Sequence, residues 1–164
     1  TALTRQPCDI AQLTIEVVHE AVPLALDRRI DLGYEGPEPG AAELTLLGNP
    51  TLLKEMIRNL VENAMYYAPT TPDRPGVVTV RVSGTAAQHT LMVQVEDNGP
   101  GVPLADRTRI FEPFYRALGT NVDGSGLGLP IVREIAQQHG ADVDVSDAHP
   151  GQPSPGARFT VRFR

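Results

Sequence analysis

The chain has 164 residues and a formal net charge of −6, with 41% hydrophobic and 21% charged residues. This composition is that of one globular domain spanning 1–164, and it excludes an intrinsically disordered chain. There is no basic run to bind nucleic acid, and no stretch approaches the roughly 18 apolar residues of a membrane span. Cys8 is the only cysteine, which excludes an internal disulfide and a CxxC zinc site.

The first part of the chain predicts a helix over 11–28, because Ile15, Val18, Val22 and Leu26 recur near helical spacing. Pro23 lies inside this segment and predicts a kink or an interruption. Apolar alternation and turn residues predict short strands at 7–10, 29–34 and 44–48, with a turn-rich connection at 36–43.

A second helix is predicted to begin at Asn49-Pro50, because asparagine is a strong N-cap and proline suits the first helical position. It should end near Ala68-Pro69, since the residue before a proline avoids the helical conformation. Its apolar face consists of Leu53, Met56, Ile57, Leu60 and Ala64.

The second half of the chain predicts a hairpin of strands at 77–84 and 90–97, then a glycine-rich segment at 98–128 with a short helix around 104–110. A helix is expected at 127–139, with Pro130 in its first turn and Gly140 just past its end. Two last strands follow at 141–147 and 157–163. The mixed pattern predicts an α+β two-layer sandwich, with one mostly antiparallel sheet covered on one face by helices.

Four stretches carry residues suited to chemistry, and the first is a polar stripe on the second helix. Glu55, Asn59, Asn63 and Tyr66 fall close to one line, with Glu62 beside it. The stripe is either a solvated helix face or one wall of a ligand pocket. In the second case an amide oxygen would suit Mg²⁺, which takes only one or two protein ligands besides phosphates and water.

The second stretch is EDNGPGVP, 96–103, which is either a tight turn or part of a site. Gly99 and Gly101 leave room for the backbone to lie against a flat ligand. Asp97, at the end of a strand, is placed to accept a hydrogen bond from an exocyclic amine.

The third stretch, DGSGLGLPIV at 123–132, places Gly124, Gly126 and Gly128 before a helix, where backbone N–H groups can hold phosphate. It matches neither the Rossmann fingerprint nor a Walker loop.

The fourth stretch, IFEPFYR at 110–116, is aromatic. Phe111 and Phe114 would anchor a mobile lid over 117–123, and Arg116 would face an anion.

Together the four stretches resemble the ATP-binding catalytic domain of two-component sensor histidine kinases, which belongs to the ATPase superfamily of gyrase, Hsp90 and MutL. NLVENAMYY resembles the N box, DNGPG the G1 box, FEPFYR the F box and GSGLGL the G2 box. The resemblance covers nearly the whole chain. It implies the Bergerat-type ATP-binding fold, Mg-ATP as the bound nucleotide, and a lid that is mobile or disordered around 117–124 without nucleotide.

The resemblance also assigns roles to individual residues. Asn63 would be the Mg²⁺ ligand, and Asn59 would lie near the metal and the phosphates. Glu62 would be the acidic residue that precedes the metal ligand, and Arg116 would approach the terminal phosphates. The expected catalytic residues are Asn59, Glu62 and Arg116. The other expected nucleotide contacts are Tyr67 and Asp97 at the adenine, Gly99, Gly101 and Val102 beside it, and Gly124, Ser125, Gly126, Leu127 and Gly128 at the phosphates.

Asn59 also indicates the type of reaction that the resemblance implies. Hydrolysing members of the superfamily carry a glutamate at this position, and an amide is not a general base. We therefore expect γ-phosphoryl transfer to a histidine rather than to water. The alternatives are a hydrolysing ATPase and a nucleotide-sensing or protein-binding domain without catalysis.

The acceptor histidine is expected outside this chain. His19, His89, His139 and His149 all lack the sequence setting of a phosphoacceptor helix, and each is predicted to lie at the surface or in a turn. The chain is thus expected to be a monomeric fragment of a homodimeric parent that carries a dimerisation and phosphoacceptor domain and acts on a response regulator. The fragment would be cytoplasmic, with the parent anchored in the inner membrane.

Three positions depart from the family pattern. Tyr66 stands where lysine or arginine is common, which removes one cation at the phosphates. Ala157 stands where threonine or serine often precedes the last strand, which removes a hydroxyl near adenine. Pro130 replaces a small residue and is compatible with a helix start.

Overall fold

The computed structural model describes residues 4–113, 115 and 128–164. Its helices are α1 (Ile10–Asp27), α2 (Pro50–Tyr67) and α3 (Gly128–Gln138), with 3₁₀ turns at Ala42–Leu44 and Leu104–Asp106. Its strands are β1 (Gln6–Asp9), β2 (Ile30–Glu35), β3 (Thr45–Gly48), β4 (Gly76–Ser83), β5 (Met92–Asp97), β6 (Ala141–Asp147) and β7 (Ala157–Phe163).

The main sheet has five strands in the order β2-β4-β5-β7-β6. Only β2 and β4 are parallel, and the other three pairs are antiparallel. The predicted hairpin is confirmed, because β4 and β5 pair with Val78 opposite Asp97. The α+β fold with a mixed, mostly antiparallel sheet and helices on one face is likewise confirmed.

The prediction of one sheet was incomplete, because β1 and β3 form a separate two-stranded antiparallel sheet. Each of these strands leads directly into a helix, β1 into α1 at Asp9 and β3 into α2 at Asn49. The two strands therefore pair with each other beside the helix starts and do not extend the main sheet.

The predicted ends of α2 are confirmed. The Oδ1 atom of Asn49 accepts a hydrogen bond from the Leu52 N–H at 3.1 Å, which caps the helix, and Pro50 occupies the first turn. The helix stops at Tyr67, immediately before Ala68-Pro69. All five residues of its predicted apolar face are fully buried.

The face of α1 that meets the core differs from the apolar stripe seen in the sequence. Val22 is 37% exposed and Leu26 is 73% exposed, whereas the buried residues are Ile10, Ala11, Leu13, Thr14, Val17 and Ala25. Apolar residues surround much of this helix, so its sequence spacing does not identify one face. Packing against α2 and the sheet selects the buried stripe.

Of the two outcomes predicted for Pro23, a kink or an interruption, the structure excludes the interruption, because α1 runs through Pro23 without ending and restarting. One further local prediction needs correction. The helix predicted around 104–110 is only the 3₁₀ turn Leu104–Asp106, because the chain then turns inward to bury Ile110 and Phe111.

The face of the main sheet that carries no helix is polar. Glu96, only 8% exposed, accepts hydrogen bonds from Arg81 at 2.6 Å and from Arg158 at 2.7 Å. Burial opposes the charge of this carboxylate, but the two guanidinium groups outweigh burial and hold the pKa of Glu96 below its usual range. Within the described residues, none of the helices has both the length and the apolar character needed to cross a membrane.

Candidate functional site

A cavity of about 480 Å³ lies between α2, the end of β5, the loop that follows β5, and the starts of α3 and β7. Five of the residues predicted from the sequence line it together: Asn63, Tyr67, Asp97, Gly101 and Val102. Its other described lining residues are Pro100, Pro103, Leu104, Arg107, Ile110, Tyr115, Leu129, Asp147, Pro155, Ala157 and Phe159. Of the polar stripe of α2, Asn63 is the member that lines this cavity among the described residues.

Asp97 is the most unusual side chain of the cavity. It is 3% exposed, and its Oδ1 atom accepts hydrogen bonds from the backbone N–H groups of Gly99 at 2.8 Å and Ala157 at 3.4 Å. Its Oδ2 atom is buried and has no hydrogen-bond partner among the residues that the structure describes. Burial raises the pKa of Asp97 to about 6, although the two backbone donors lower it. The cavity thus presents one unsatisfied acceptor to a ligand that carries a donor.

The two glycines after Asp97 are required by the packing of the chain itself. A Cβ atom on Gly99 would lie 2.4 Å from the carbonyl oxygen of Tyr67. Gly101 has a φ of +83°, which strains any other residue, and it lies against Pro155 and Gly156. Gly101 lines the cavity, while Gly99 positions the carboxylate of Asp97 through its N–H group.

Asn59 and Asn63 lie one helical turn apart, where α2 faces the start of α3. The Nδ2 group of Asn59 donates to the carbonyl of Glu55 at 2.9 Å. Its Oδ1 atom lies 3.5 Å from the position that a Cβ atom on Gly128 would take. The amide oxygen of Asn59 is therefore turned towards the glycine end of α3, beside the cavity that Asn63 lines.

Glu62 is not among the described residues that line this cavity. It is exposed, and it borders a separate hollow between α1 and α2 with Val17, Glu20, Ala21, Leu24, Arg58, Val61 and Met65. The structure therefore does not bring Glu62 together with Asn63 and Asp97, although all three were predicted for one site.

Several predicted positions lie outside the described residues. They are Phe114, Arg116, the lid over 117–124, and Gly124, Ser125, Gly126 and Leu127 of the glycine cluster.

An ion pair that was not predicted from the sequence lines the cavity, together with Tyr115 of the aromatic stretch 110–116. Arg107 donates to the Val102 carbonyl at 3.0 Å and to Asp147 at 2.8 Å, which ties the loop after β5 to β6. The Tyr115 hydroxyl donates to Asp106, and the guanidinium of Arg109 lies 4.7 Å from the centre of the Tyr115 ring. Forty residues separate Arg107 from Asp147, so no local spacing could have predicted this pair.

The structure also shows what surrounds the positions that depart from the family pattern. The guanidinium of Arg28, at the end of α1, lies 5.2 Å from the centre of the Tyr66 ring. The Tyr66 ring therefore makes a cation–π contact with Arg28, and neither residue is among the described residues that line the cavity. Ala157 lines the cavity and contributes its backbone N–H to Asp97.

The prediction that all four histidines lie at the surface or in turns is confirmed, but the turn histidine, His139, is buried. His19, His89 and His149 are exposed, but His139 is 8% exposed and hydrogen-bonded through both ring nitrogens. It follows the last residue of α3, and only the packing of α3 against α2 makes it an interior residue.

The model of the family described as histidine kinase-, DNA gyrase B- and HSP90-like ATPases matches residues 48–164, which include α2, Asp97 and the whole described cavity. The chain belongs to this family of ATPases. The match begins at the last residue of β3 and leaves out β1, α1, β2 and the rest of β3, which complete the fold on its N-terminal side.

Within the family, the chain is similar to sensor kinases. It is 39% identical over 134 residues to the sensor protein kinase PmrB of Pseudomonas aeruginosa, an alignment that covers 81% of this chain and 26% of PmrB. The chain thus spans less than a third of the length of this curated relative.

Solved kinase structures of the family share the fold. The mycobacterial sensor histidine kinase MprB superposes with a TM-score of 0.78 at 26% identity, covering 98% of this chain and 97% of that one. Full-length ShkA, solved in complex with AMPPNP, gives a TM-score of 0.79 at 28% identity and covers 99% of this chain and 31% of that one.

Proposed function

We propose that this chain is the ATP-binding catalytic domain of a sensor histidine kinase, which binds Mg-ATP and donates the γ-phosphoryl group to a histidine on another domain of its parent. The observation that carries the proposal is Asp97, whose buried Oδ2 atom has no partner from the described part of the chain. The similarity to sensor kinases and the AMPPNP complex of ShkA support it.

In this proposal Asp97 selects adenine. The exocyclic amine of adenine is a hydrogen-bond donor, and the Oδ2 atom of Asp97 is an acceptor that has no other partner among the described residues. The apolar walls formed by Val102, Ile110 and Phe159 would exclude water from the two faces of the base. A buried acceptor without a partner is costly, so a ligand that satisfies it gains affinity and specificity.

Asn63 would hold the magnesium ion through its amide oxygen. Among the described residues, no cluster of three His, Cys, Asp or Glu side chains could bind a metal ion. Mg²⁺ commonly binds nucleotide sites through one or two protein oxygens, with phosphate oxygens and water completing its shell. When bound, the ion neutralises charge on the transferring phosphoryl group.

The phosphates would lie between α2 and the start of α3, where Asn59 and Gly128 approach each other. Gly128 is the described member of the predicted phosphate contacts, and the roles of 124–127 and of Arg116 stay predictions. Backbone N–H groups at the start of a helix and a guanidinium group both suit phosphate oxygens.

The reaction is proposed to be transfer rather than hydrolysis. Asn59, half-buried and bonded to the Glu55 carbonyl, has no group that could accept a proton from water. In the transfer step a P–N bond to the acceptor imidazole forms, the P–O bond to the β-phosphate breaks, ADP leaves, and the imidazole releases its proton. Catalysis by this chain would consist of positioning and charge neutralisation.

The acceptor would be the phosphoacceptor and dimerisation domain of the same parent, which would then pass the phosphoryl group to a response regulator. The three exposed histidines lie outside the cavity, and His139 is buried with both nitrogens engaged. None of the four is thus placed to accept the phosphoryl group. From the similarity to sensor kinases we further propose a monomeric domain that acts in the cytoplasm within a homodimeric, membrane-anchored parent.

The decisive experiment measures transfer of label from γ-labelled Mg-ATP to the phosphoacceptor domain of the parent, supplied separately. We expect an acid-labile phosphohistidine to form. Replacing Asn63 with alanine should reduce the transfer rate by at least about 100-fold, because groups one step further from a metal already cost about 10- to 100-fold. Thr51→Ala, at an exposed position of the same helix, is the matched control and should retain the rate.

Two results would contradict the proposal. Steady phosphate release without the acceptor domain, lost in Asn63→Ala, would identify a hydrolase. Absence of Mg-ATP binding in the folded chain would identify a domain that only binds other proteins.

A further inference from the structure

His139 occupies a junction that no part of the proposed reaction uses. Its Nε2 atom lies 3.1 Å from the backbone nitrogen of Asn49, and its Nδ1 atom lies 2.8 Å from the carbonyl oxygen of Ile135. Asn49 is the N-cap of α2, and Ile135 belongs to the last turn of α3. One buried ring therefore joins the end of α3 to the beginning of α2.

The chemistry of the two partners determines the state of the ring. The backbone N–H of Asn49 can only donate, so Nε2 accepts and carries no proton. The carbonyl of Ile135 can only accept, so the proton lies on Nδ1, which donates. The ring is thus a neutral imidazole in one tautomer, with both nitrogens satisfied and little freedom to turn.

The junction also determines the axial register of α2 and α3, which are antiparallel. Along α2, Asn49 and Asn59 are ten residues apart, or about 15 Å of helix. Along α3, Gly128 and His139 are eleven residues apart, or about 16.5 Å. With His139 fixed at Asn49, Gly128 therefore lies beside Asn59, as the 3.5 Å approach of the Asn59 Oδ1 atom to the Cβ position of Gly128 shows.

We propose that His139 is a positioning residue of the nucleotide site, which holds the phosphate-side end of α3 in register with Asn59 and Asn63 of α2. It touches neither nucleotide nor metal and acts only through the axial alignment of the two helices. The inference rests on the proposed function. It adds a structural determinant of phosphate binding about 15 Å, or ten helical residues, from the site.

The space around the ring supports this role. A Cβ atom on Gly48 would lie 2.8 Å from Cδ2 of His139 and 2.9 Å from Cδ1 of Leu53. The end of β3 therefore closes the junction on a third side, and the ring can be displaced by adding a single methyl group at residue 48. Because interiors are close-packed, displacing the His139 ring should displace the end of α3 that carries it.

The test compares two ligands on the folded chain: Mg-ATP, which needs both sides of the cavity, and adenosine, which needs only the Asp97 side. His139→Phe keeps an aromatic ring but removes the acceptor for the Asn49 N–H. We expect its Mg-ATP affinity, measured by calorimetry, to fall about tenfold or more. This is the worth of one hydrogen bond to a charged phosphate, which the misaligned α3 would no longer make. Its adenosine affinity, measured by NMR titration, should stay within about twofold of the native value, because the alignment changes nothing at Asp97.

His139→Gln serves as the conservative rescue, because its side-chain carbonyl can accept from Asn49; it should recover most of the Mg-ATP affinity. Asn49→Ala is the matched control at the same junction, since it loses the helix cap at a cost of about 1 kcal/mol but keeps the backbone N–H that His139 contacts. It should be less stable yet bind both ligands as the native chain does. If His139→Phe fails to fold, Gly48→Ala displaces the ring from the other side and should show the same selective loss.

Native Mg-ATP affinity in folded His139→Phe or Gly48→Ala would overturn the inference, and so would an equal loss of Mg-ATP and adenosine binding. Failure of the native chain to bind Mg-ATP would instead overturn the proposed function, so the two failures are distinguishable.

Discussion

Asp97 combines two properties that usually exclude each other, namely deep burial and an ionisable group with an unused oxygen. The N–H groups of Gly99 and Ala157 satisfy only Oδ1, and burial raises the pKa of Asp97 to about 6. The chain thus carries a destabilising charge at neutral pH in the absence of ligand. Such a cost, located in a cavity, is typical of a site adapted to a partner that is not always present.

The raised pKa predicts the pH dependence of stability. The folded chain binds the Asp97 proton more tightly than the unfolded chain, so the free energy of unfolding should fall as pH rises from about 4 to about 6. Asp97→Asn should remove this slope and raise the unfolding free energy at pH 7 by about 1–3 kcal/mol, since one pKa unit corresponds to about 1.4 kcal/mol. Urea unfolding at a series of pH values measures both effects.

The same variant should lose nucleotide. Removing a hydrogen bond to a charged group costs about 1.5–3 kcal/mol, so Mg-ATP affinity should fall by about 10- to 150-fold. Asp31→Asn, an exposed carboxylate on β2, is the control and should change neither property. An Asp97→Asn protein that is more stable yet binds Mg-ATP normally would disprove the adenine assignment.

At the scale of elements, α1 tolerates a residue that helices usually reject. Pro23 lies in the interior of α1, where it has no N–H to donate to the carbonyl of His19, and its side chain is exposed. The helix persists because the residues of its buried stripe, including Val17 and Ala25, pack against the rest of the core. Tertiary packing therefore outweighs a strong local signal.

This predicts that Pro23→Ala stabilises the chain. A proline in a helix interior costs about 3 kcal/mol relative to alanine, and proline restricts the unfolded chain by about 0.4–1 kcal/mol, so a net gain of about 2–2.6 kcal/mol is expected in urea unfolding. Pro39→Ala, in the exposed loop before β3, is the matched control and should give no gain. If the two substitutions changed the unfolding free energy equally, Pro23 would not destabilise α1.

Element ends and element faces differ in how well they can be predicted. The start and stop of α2 follow from Asn49-Pro50 and Ala68-Pro69, because capping and proline geometry act within a few residues. The buried face of α1 and the pairing of β1 with β3 do not, because both depend on neighbours far away in the chain.

At the scale of the whole molecule, the cavity joins parts of the chain that meet only in the folded state. Asn63 lies on α2, Asp97 on β5 and Ala157 on β7, and the ion pair of Arg107 with Asp147 closes the loop after β5 onto β6. A ligand that contacts all of these elements stabilises the folded state as a unit.

Mg-ATP should accordingly raise the melting temperature. At 100 times its dissociation constant a ligand adds about 2.7 kcal/mol, which corresponds to about 5–10 °C for a chain of this size. Mg-GTP at the same concentration should raise it by less than about 2 °C, because guanine presents a carbonyl oxygen where adenine presents an amine, and this oxygen would face the Oδ2 acceptor of Asp97. Equal shifts for the two nucleotides in differential scanning fluorimetry would contradict base selection by Asp97.

The sequence by itself determined the fold class, the limits and core face of α2, the β4–β5 hairpin and the candidate pocket residues Asn63 and Asp97. These features rest on periodicity, capping and short motifs, which act over a few residues. The tertiary structure alone decided that Glu62 faces the hollow beside α1, that Arg28 stacks on Tyr66, and that His139 is an interior strut. Each of these depends on which faces of distant segments meet, and that outcome is selected by packing over the whole core and carries no local signal.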